Sequence, residues 1–162
     1  MPFIRMETSE GALLIELWPD AAPKTVENFR QLIHNGFYDG LTFHRVIPKF
    51  IVQAGCPNGD GTGTAGWTVE PEFNDRPHDR GVLSMARTAD PHSASSQFFI
   101  CLSREYCEHL DGQYTAFGRL LEGDEVLDRL AAIPIADPHT GRPIDPPQIL
   151  HCYESWDQPM TD

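Results

Sequence analysis

The chain has 162 residues and a mass of 18.2 kDa, the size of one domain, and a chain of that size buries roughly two-thirds of its unfolded surface. Its 40% hydrophobic and 22% charged content exclude extended disorder, and a formal charge of -12, from 24 acidic against 12 basic residues, excludes nucleic acid as a direct ligand because a polyanion is repelled. Met1–Glu7 lacks the apolar core of a secretory signal and no stretch approaches the roughly 18 apolar residues of a membrane helix, so a cytoplasmic location without membrane contact is expected.

Ile4 to Met6 and Ala12 to Trp18 alternate as strands joined through Glu10-Gly11, with Leu13, Ile15 and Leu17 on one face. Ala22, Val26, Phe29 and Ile33 then recur at helical spacing. Pro23 suits the first turn and Asn35-Gly36 the C-terminal cap, which predicts an amphipathic helix over about 23 to 35. Asp39-Gly40 is a turn signal ahead of two strands, Thr42 to Ile47 and Phe50 to Ala54, parted by Pro48. Residues 55 to 80 are rich in Gly and Pro without a sustained period and read as a long ordered loop. Strands follow at Val82 to Ala86, Gln97 to Leu102 and Tyr114 to Leu120, the last two separated by a loop ending in Asp111-Gly112.

Asp124 and Glu125 open a second, short helix whose positive end suits their charge, with Val126, Leu127 and Leu130 on one face. Pro134, Pro138, Pro143, Pro146 and Pro147 exclude regular structure between 133 and 147, and Gln148 to Tyr153 supplies the last strand. Eight short antiparallel strands without an obvious unpaired edge predict a mainly β fold, a closed eight-stranded antiparallel β-barrel capped by two α-helices. One domain over 1–156 is expected, with 157–162 a frayed tail.

Several motifs fail on context. Gly61-Thr62-Gly63-Thr64-Ala65-Gly66 spells the dinucleotide fingerprint, but no strand precedes it and no helix follows. The loop from Asn58 hints at a calcium site, yet Val69 stands where a bidentate Glu belongs. Cys101, Cys107 and His109 are irregularly spaced with no matching second pair, so no metal is expected and the seven histidines read as scattered surface residues. The four cysteines read as reduced, small residues. Ser84 lacks the second glycine of a nucleophile elbow, which leaves a serine hydrolase without support.

Two runs, Phe43-His44-Arg45-Val46-Ile47-Pro48-Lys49-Phe50-Ile51-Val52-Gln53 and Ser96-Gln97-Phe98-Phe99-Ile100, carry long polar side chains among aromatic and β-branched ones. An arginine in a strand ordinarily lays its stem on apolar neighbours and keeps its head in water. The neighbours argue for more. At a period of two, Ile51 and Gln53 share a face, as do Gln97 and Phe99; if Phe98 and Ile100 fill the barrel, Gln97 and Phe99 point outward. With Arg45 beside them they outline an external groove of donors against an apolar slot.

Such a groove has no evident nucleophile, carboxylate pair or metal. Rotation about an X-Pro amide needs none, because its barrier of roughly 18–20 kcal/mol comes from conjugation between the nitrogen lone pair and the carbonyl. Gripping the ring in a slot built from Phe50, Phe99 and Leu110, holding a carbonyl with Gln53 and donating from Arg45 to the pyramidal nitrogen would lower that barrier.

The run from Phe37 through Pro48, then Gln53, Leu83-Ser84-Met85-Ala86, Ser96-Gln97-Phe98-Phe99-Ile100 and Leu110-Asp111-Gly112, resembles the cyclophilin family of peptidyl-prolyl isomerases, in order and over nearly the whole chain. The resemblance implies isomerase activity without a cofactor on proline-containing peptides and on unfolded or folding chains. It implies Arg45 and Gln53 as catalytic residues, and Phe50, Ile51, Met85, Ala86, Arg87, Gln97, Phe99, His109, Leu110 and Tyr114 as substrate-binding ones. A proline-binding scaffold with little turnover is the rival reading, and its mark would be loss of Arg45 or the pocket aromatics. Departures from the pattern of eukaryotic members are Arg87 for an asparagine, Lys49 for a glycine, Tyr114 for a histidine, and His109 for a tryptophan that helps bind cyclosporin. The last implies weakened affinity for cyclosporin-type ligands.

Overall fold

The structure, a computed structural model, describes residues 1–156; the expected frayed tail, 157–162, lies outside the described residues. The chain runs β1 (Phe3–Thr8), β2 (Gly11–Leu17), α1 (Pro23–His34), β3 (Arg45–Ile47), β4 (Ile51–Ala54), β5 (Val82–Met85), β6 (Phe98–Cys101), α2 (Arg104–Cys107), β7 (Ala116–Glu122), α3 (Asp124–Ala131), β8 (Ile135–Asp137), β9 (Arg142–Pro143) and β10 (Ile149–Ser155). The eight antiparallel strands that the alternation predicts form one sheet, in the order β10-β1-β2-β7-β5-β6-β4-β3. Inside it, Ile4, Met6, Leu13, Ile15, Val46, Val52, Leu83, Phe98, Ile100 and Phe117 pack with the apolar faces of α1 and α3.

Closure is less complete than expected. β10 and β3 meet through the segment just before β3, by a single Thr42–Gln148 bridge and three backbone bonds: Phe43 N–H to Pro147 O (2.8 Å), Ile149 N–H to Leu41 O (2.7 Å) and Gly40 N–H to Ile149 O (2.7 Å). Pro146 and Pro147 bring carbonyls but no N–H to this seam, so a continuous ladder cannot form there.

Two further elements depart from the expectation. Residues 133–147 hold a small ribbon, β8 with β9, because their prolines fall where no ladder N–H is required; Ile144 N–H reaches Pro134 O (3.0 Å) and Gly141 N–H reaches Asp137 O (2.8 Å). A third helix, α2, followed by a 3-10 turn over Glu108–Leu110, interrupts the loop between β6 and β7. Four residues are too few to reveal a helical period.

The two anticipated helices form as their patterns dictate. Pro23 opens α1, and the orphan N–H groups of Lys24 and Thr25 are met by Glu72 carboxylate oxygens at 3.1 and 2.7 Å, so the long 55–80 loop serves as this helix's cap. Val126, Leu127 and Leu130 of α3 are buried. Among the described residues no helix is long and apolar enough to cross a membrane.

Candidate active site

β4 lies between β3 and β6, and its register decides what meets. Gln53 faces Arg45 on one side and Phe99 on the other, and Phe99 faces Ser84 on β5. These four form one row on the outer surface of the sheet, because residues in register share a face. Gly55, just after β4, has a φ of +94° and lies so close to Ser96 that a Cβ would stand 2.5 Å from the Ser96 carbonyl oxygen; any side chain there would push the strand exit away from the segment leading into β6.

A relay of hydrogen bonds fixes the polar part of the row. Arg45 Nη1 donates to Gln53 Oε1 (3.2 Å), Gln53 Nε2 donates to Gln97 Oε1 (3.1 Å), and Gln97 Nε2 donates to the carbonyls of Gly61 and Gly63 (3.0 Å each). The glycine-rich stretch that spells a nucleotide motif therefore anchors this relay. Its other face turns the Gly61 and Gly63 N–H groups to Cys56 Sγ (3.2 Å each), which draws that thiol's pKa below its ordinary value against the opposing effect of burial.

Beside the relay is an apolar slot of about 200 Å³, walled by Phe50, Ile51, Phe99, Leu110, Tyr114 and Ala86, with Arg45, Gln53, Arg87 and His109 at its edges. His109 stacks on Phe50 (5.8 Å between centroids, 24° between planes), and Phe99 meets Tyr114 edge to face at 5.8 Å. A second, smaller cavity adjoins the slot across Gln53, Ala86 and Arg87 and is lined by Gln97 and by threonine and serine residues. Eleven of the twelve residues implied by the resemblance thus line one or both cavities. Met85 does not. It pairs with Phe98 and lies 2% exposed in the barrel core, since the pleat that turns Ser84 outward turns Met85 inward.

Sequence reasoning missed what stands behind the slot. His78 is 1% exposed, not a surface histidine, and its ring stacks on Phe99 (6.3 Å, 22°). Its Nδ1 meets Asp111 Oδ1 at 3.1 Å and its Nε2 meets Ser84 Oγ at 2.9 Å, while Arg104 grips both Asp111 oxygens at 3.0 and 2.8 Å. Arg104 holds the Asp111 carboxylate low, at about 2, and burial keeps the His78 pKa below its ordinary value although Asp111 opposes this. The Ser–His–Asp order imitates a nucleophilic triad, but Ser84 is fully buried beneath Phe99 and no substrate can reach it. Its task is support: His78 and Asp111 tie the β5 floor to the Leu110 wall. A histidine between Pro77 and Asp79 in a loop carries no periodic signal that could have revealed this.

His44 is likewise buried, with its Nδ1 unpaired, and its pKa is lowered by burial and then by Arg45. Among the described residues no group of His, Cys, Asp and Glu is arranged to hold a metal.

Residues 3–154 match the family described as cyclophilin type peptidyl-prolyl cis-trans isomerase/CLD. A peptidyl-prolyl cis-trans isomerase of Synechococcus elongatus is 51% identical over 122 residues, covering 75% of this chain and 81% of that protein, and isomerase B of Bacillus subtilis is 53% identical over 118 residues, covering 72% and 80%. A Cryptosporidium parvum cyclophilin type isomerase, solved in the presence of the dipeptide Ala-Pro, superposes with a TM-score of 0.88 at 34% identity over 96% of this chain and 99% of that one. A matched family over nearly every described residue, and relatives at about half identity bearing the same activity, put the chain in the cyclophilin-type peptidyl-prolyl cis-trans isomerase family.

Proposed function

We propose that the slot receives the ring of a proline within a peptide or a folding chain and that Arg45 speeds rotation about the preceding amide without any covalent step. The arrangement that carries this reading is the pinned Arg45–Gln53–Gln97 relay beside an apolar slot. Nη1 is committed to Gln53, which aims the rest of the guanidinium fork over the slot, where its remaining N–H groups can meet the nitrogen lone pair freed as the amide twists. Phe50, Ile51, Phe99 and Leu110 withdraw water from the ring and the amide, which favours the less charge-separated twisted state. Gln53 has a second amide hydrogen left for a substrate carbonyl.

The arginine bond contributes roughly 1.5–3 kcal/mol, on the order of ten- to a hundredfold in rate, with alignment and desolvation supplying the rest. Arg45→Ala is accordingly expected to lower kcat/KM on a short X-Pro peptide by about that factor in a cis-to-trans assay. Undiminished turnover in the variant would refute the arginine's role, and absence of turnover in both proteins would favour a proline-binding scaffold.

A cytoplasmic site of action fits four cysteines that are all free and buried. His109 offers a smaller face than a tryptophan at the rim, and weaker binding of cyclosporin follows. Titration with cyclosporin checks it: His109→Trp should tighten binding, and a wild-type affinity equal to the variant's would sink the expectation.

A further inference from the structure

Arg87 is the wall shared by the slot and the second cavity, and its charge is unanswered. Its Nε and Nη2 donate to the Gln113 carbonyl at 3.2 and 2.8 Å and its Nη1 to the Thr88 carbonyl at 2.9 Å, while its carbon centre lies 4.4 Å above the Tyr114 ring. All of these partners are neutral. Five other arginines are answered by carboxylates, Arg30 by Glu154, Arg76 by Asp20, Arg80 by Asp124 and Asp128, Arg104 by Asp111, and Arg119 by Glu16, whereas Arg45 at the same slot, like Arg87, bonds a neutral group. In a chain with 24 acidic residues, neither cavity has a carboxylate in its wall, yet each has an arginine.

The three bonds hold the guanidinium in place and leave two of its five N–H groups without a partner. Asp90, the acidic residue nearest in sequence on that side, is turned to its own loop, where Oδ1 accepts from His92 N–H. The hydroxyls of Thr88 and Ser93, bonded to each other at 2.9 Å, line the same second cavity. A half-buried, immobilised, uncompensated cation at the junction of two cavities is a fixed anion-attracting point. The net charge of -12 acts on it only through carboxylates within about 10 Å, since more distant charges are screened at ordinary ionic strength.

Resting on the isomerase reading, we propose that Arg87 is a specificity-determining residue that makes this site prefer X-Pro segments with a negatively charged side chain within two residues of the proline. With the ring in the slot, an extended neighbour lies about 3.3–3.6 Å further along per residue, which brings its side chain to the shared wall or into the hydroxyl-lined cavity.

Two peptide series test this, one with Glu, Gln or Lys two residues before the proline and one with the same residues two after it, all read as kcat/KM in the cis-to-trans assay. The wild-type chain is expected to rank Glu above Gln above Lys in at least one series, with Glu exceeding Lys by about two- to fivefold and the ratio shrinking in about 0.5 M NaCl. In Arg87→Gln the ratio should fall to near one whatever the absolute rate, and in Arg87→Lys the same order should persist. If Arg87 only props Tyr114, Arg87→Gln lowers every peptide alike and the ratio survives, which overturns the proposal. Turnover of all six peptides at one rate by the wild type overturns it while leaving the isomerase reading intact; no turnover of any peptide overturns both.

Discussion

Two adjacent rows of the same four strands, β3, β4, β6 and β5, face opposite ways and do different things. Val46, Val52, Ile100 and Leu83 form the inner row, every member fully buried and none with a side-chain polar atom. Arg45, Gln53, Phe99 and Ser84 form the outer row, one residue along. There the polar members bond away from the strands, Arg45 to Gln53, Gln53 to Gln97 and Ser84 to His78. The pleat alone separates packing from chemistry. Because the inner row is close-packed, it fixes the backbone from which the outer row reaches, and the site inherits the precision of the core.

Neighbouring phenylalanines on β6 give the sharpest way to break this contrast. Phe98 is fully buried and meets Phe29 and Tyr38 edge to face at 5.5 Å each, so Phe98→Ala should cost about 3–5 kcal/mol and lower Tm on the order of 10 °C. Phe99 belongs to the smaller cluster around the slot with Ile51, Leu110 and Tyr114, and its loss opens a space that water in the slot can enter. Phe99→Ala should therefore cost less stability and far more turnover, which thermal melts and the peptide assay read side by side. Equal destabilisation with retained activity in Phe99→Ala would erase the distinction between the rows.

The rows themselves were legible in the sequence, since alternation put Phe98 and Ile100 on one face and Gln97 and Phe99 on the other. So were both longer helices, because each repeats an apolar stripe for two turns or more. What escaped was non-local or short. Met85 was expected at the site because a motif contains it, but motif membership does not say which way a side chain points. The seam at Pro146 and Pro147, the ribbon over Ile135–Pro143 and the four-residue α2 depend on which carbonyl lies within reach, which no periodicity encodes. His78 became a buried support only once the loop folded under Phe99.

Acid distinguishes the rows next, because His78 and Asp111, whose pKa values are lowered, stand behind the outer one, while Tyr38 and Cys152 in the core have theirs raised. His78 has a folded pKa below its ordinary 6.5, so the stability it gives as a neutral ring is complete above that value and is lost as pH falls below it through the folded value. Asp111 is held at about 2 against an ordinary 3.8, so its contribution persists until the pH drops from about 4 toward 2. His44, whose pKa is also lowered, adds to the first window. Tm and kcat/KM measured from pH 7.5 down to 5 should decline together in the wild type, and His78→Asn should flatten the pH dependence of both. A wild-type Tm that is level over this range would show that protonation of His78 is not resisted by the fold.

The smallest effect concerns the turn that joins the two strands bearing Arg45 and Gln53. Lys49 has a φ of +69°, the one non-glycine residue among those described with positive φ. A left-handed conformation costs an L residue roughly 1–2 kcal/mol, and glycine gives back roughly 0.5–1 kcal/mol through its freer unfolded chain. Lys49→Gly should therefore stabilise the protein by about 0.5 kcal/mol and raise Tm by about 1–2 °C. The Lys49 carbonyl, which accepts the Ser103 hydroxyl at 2.6 Å, survives the substitution, and the side chain is exposed, so kcat/KM should not move. A fall in Tm would mean that the lysine holds this turn through its side chain. A rise without any change in turnover would place the strain in the connection alone, leaving the register of Arg45 opposite Gln53 to be set by the inner row beneath it.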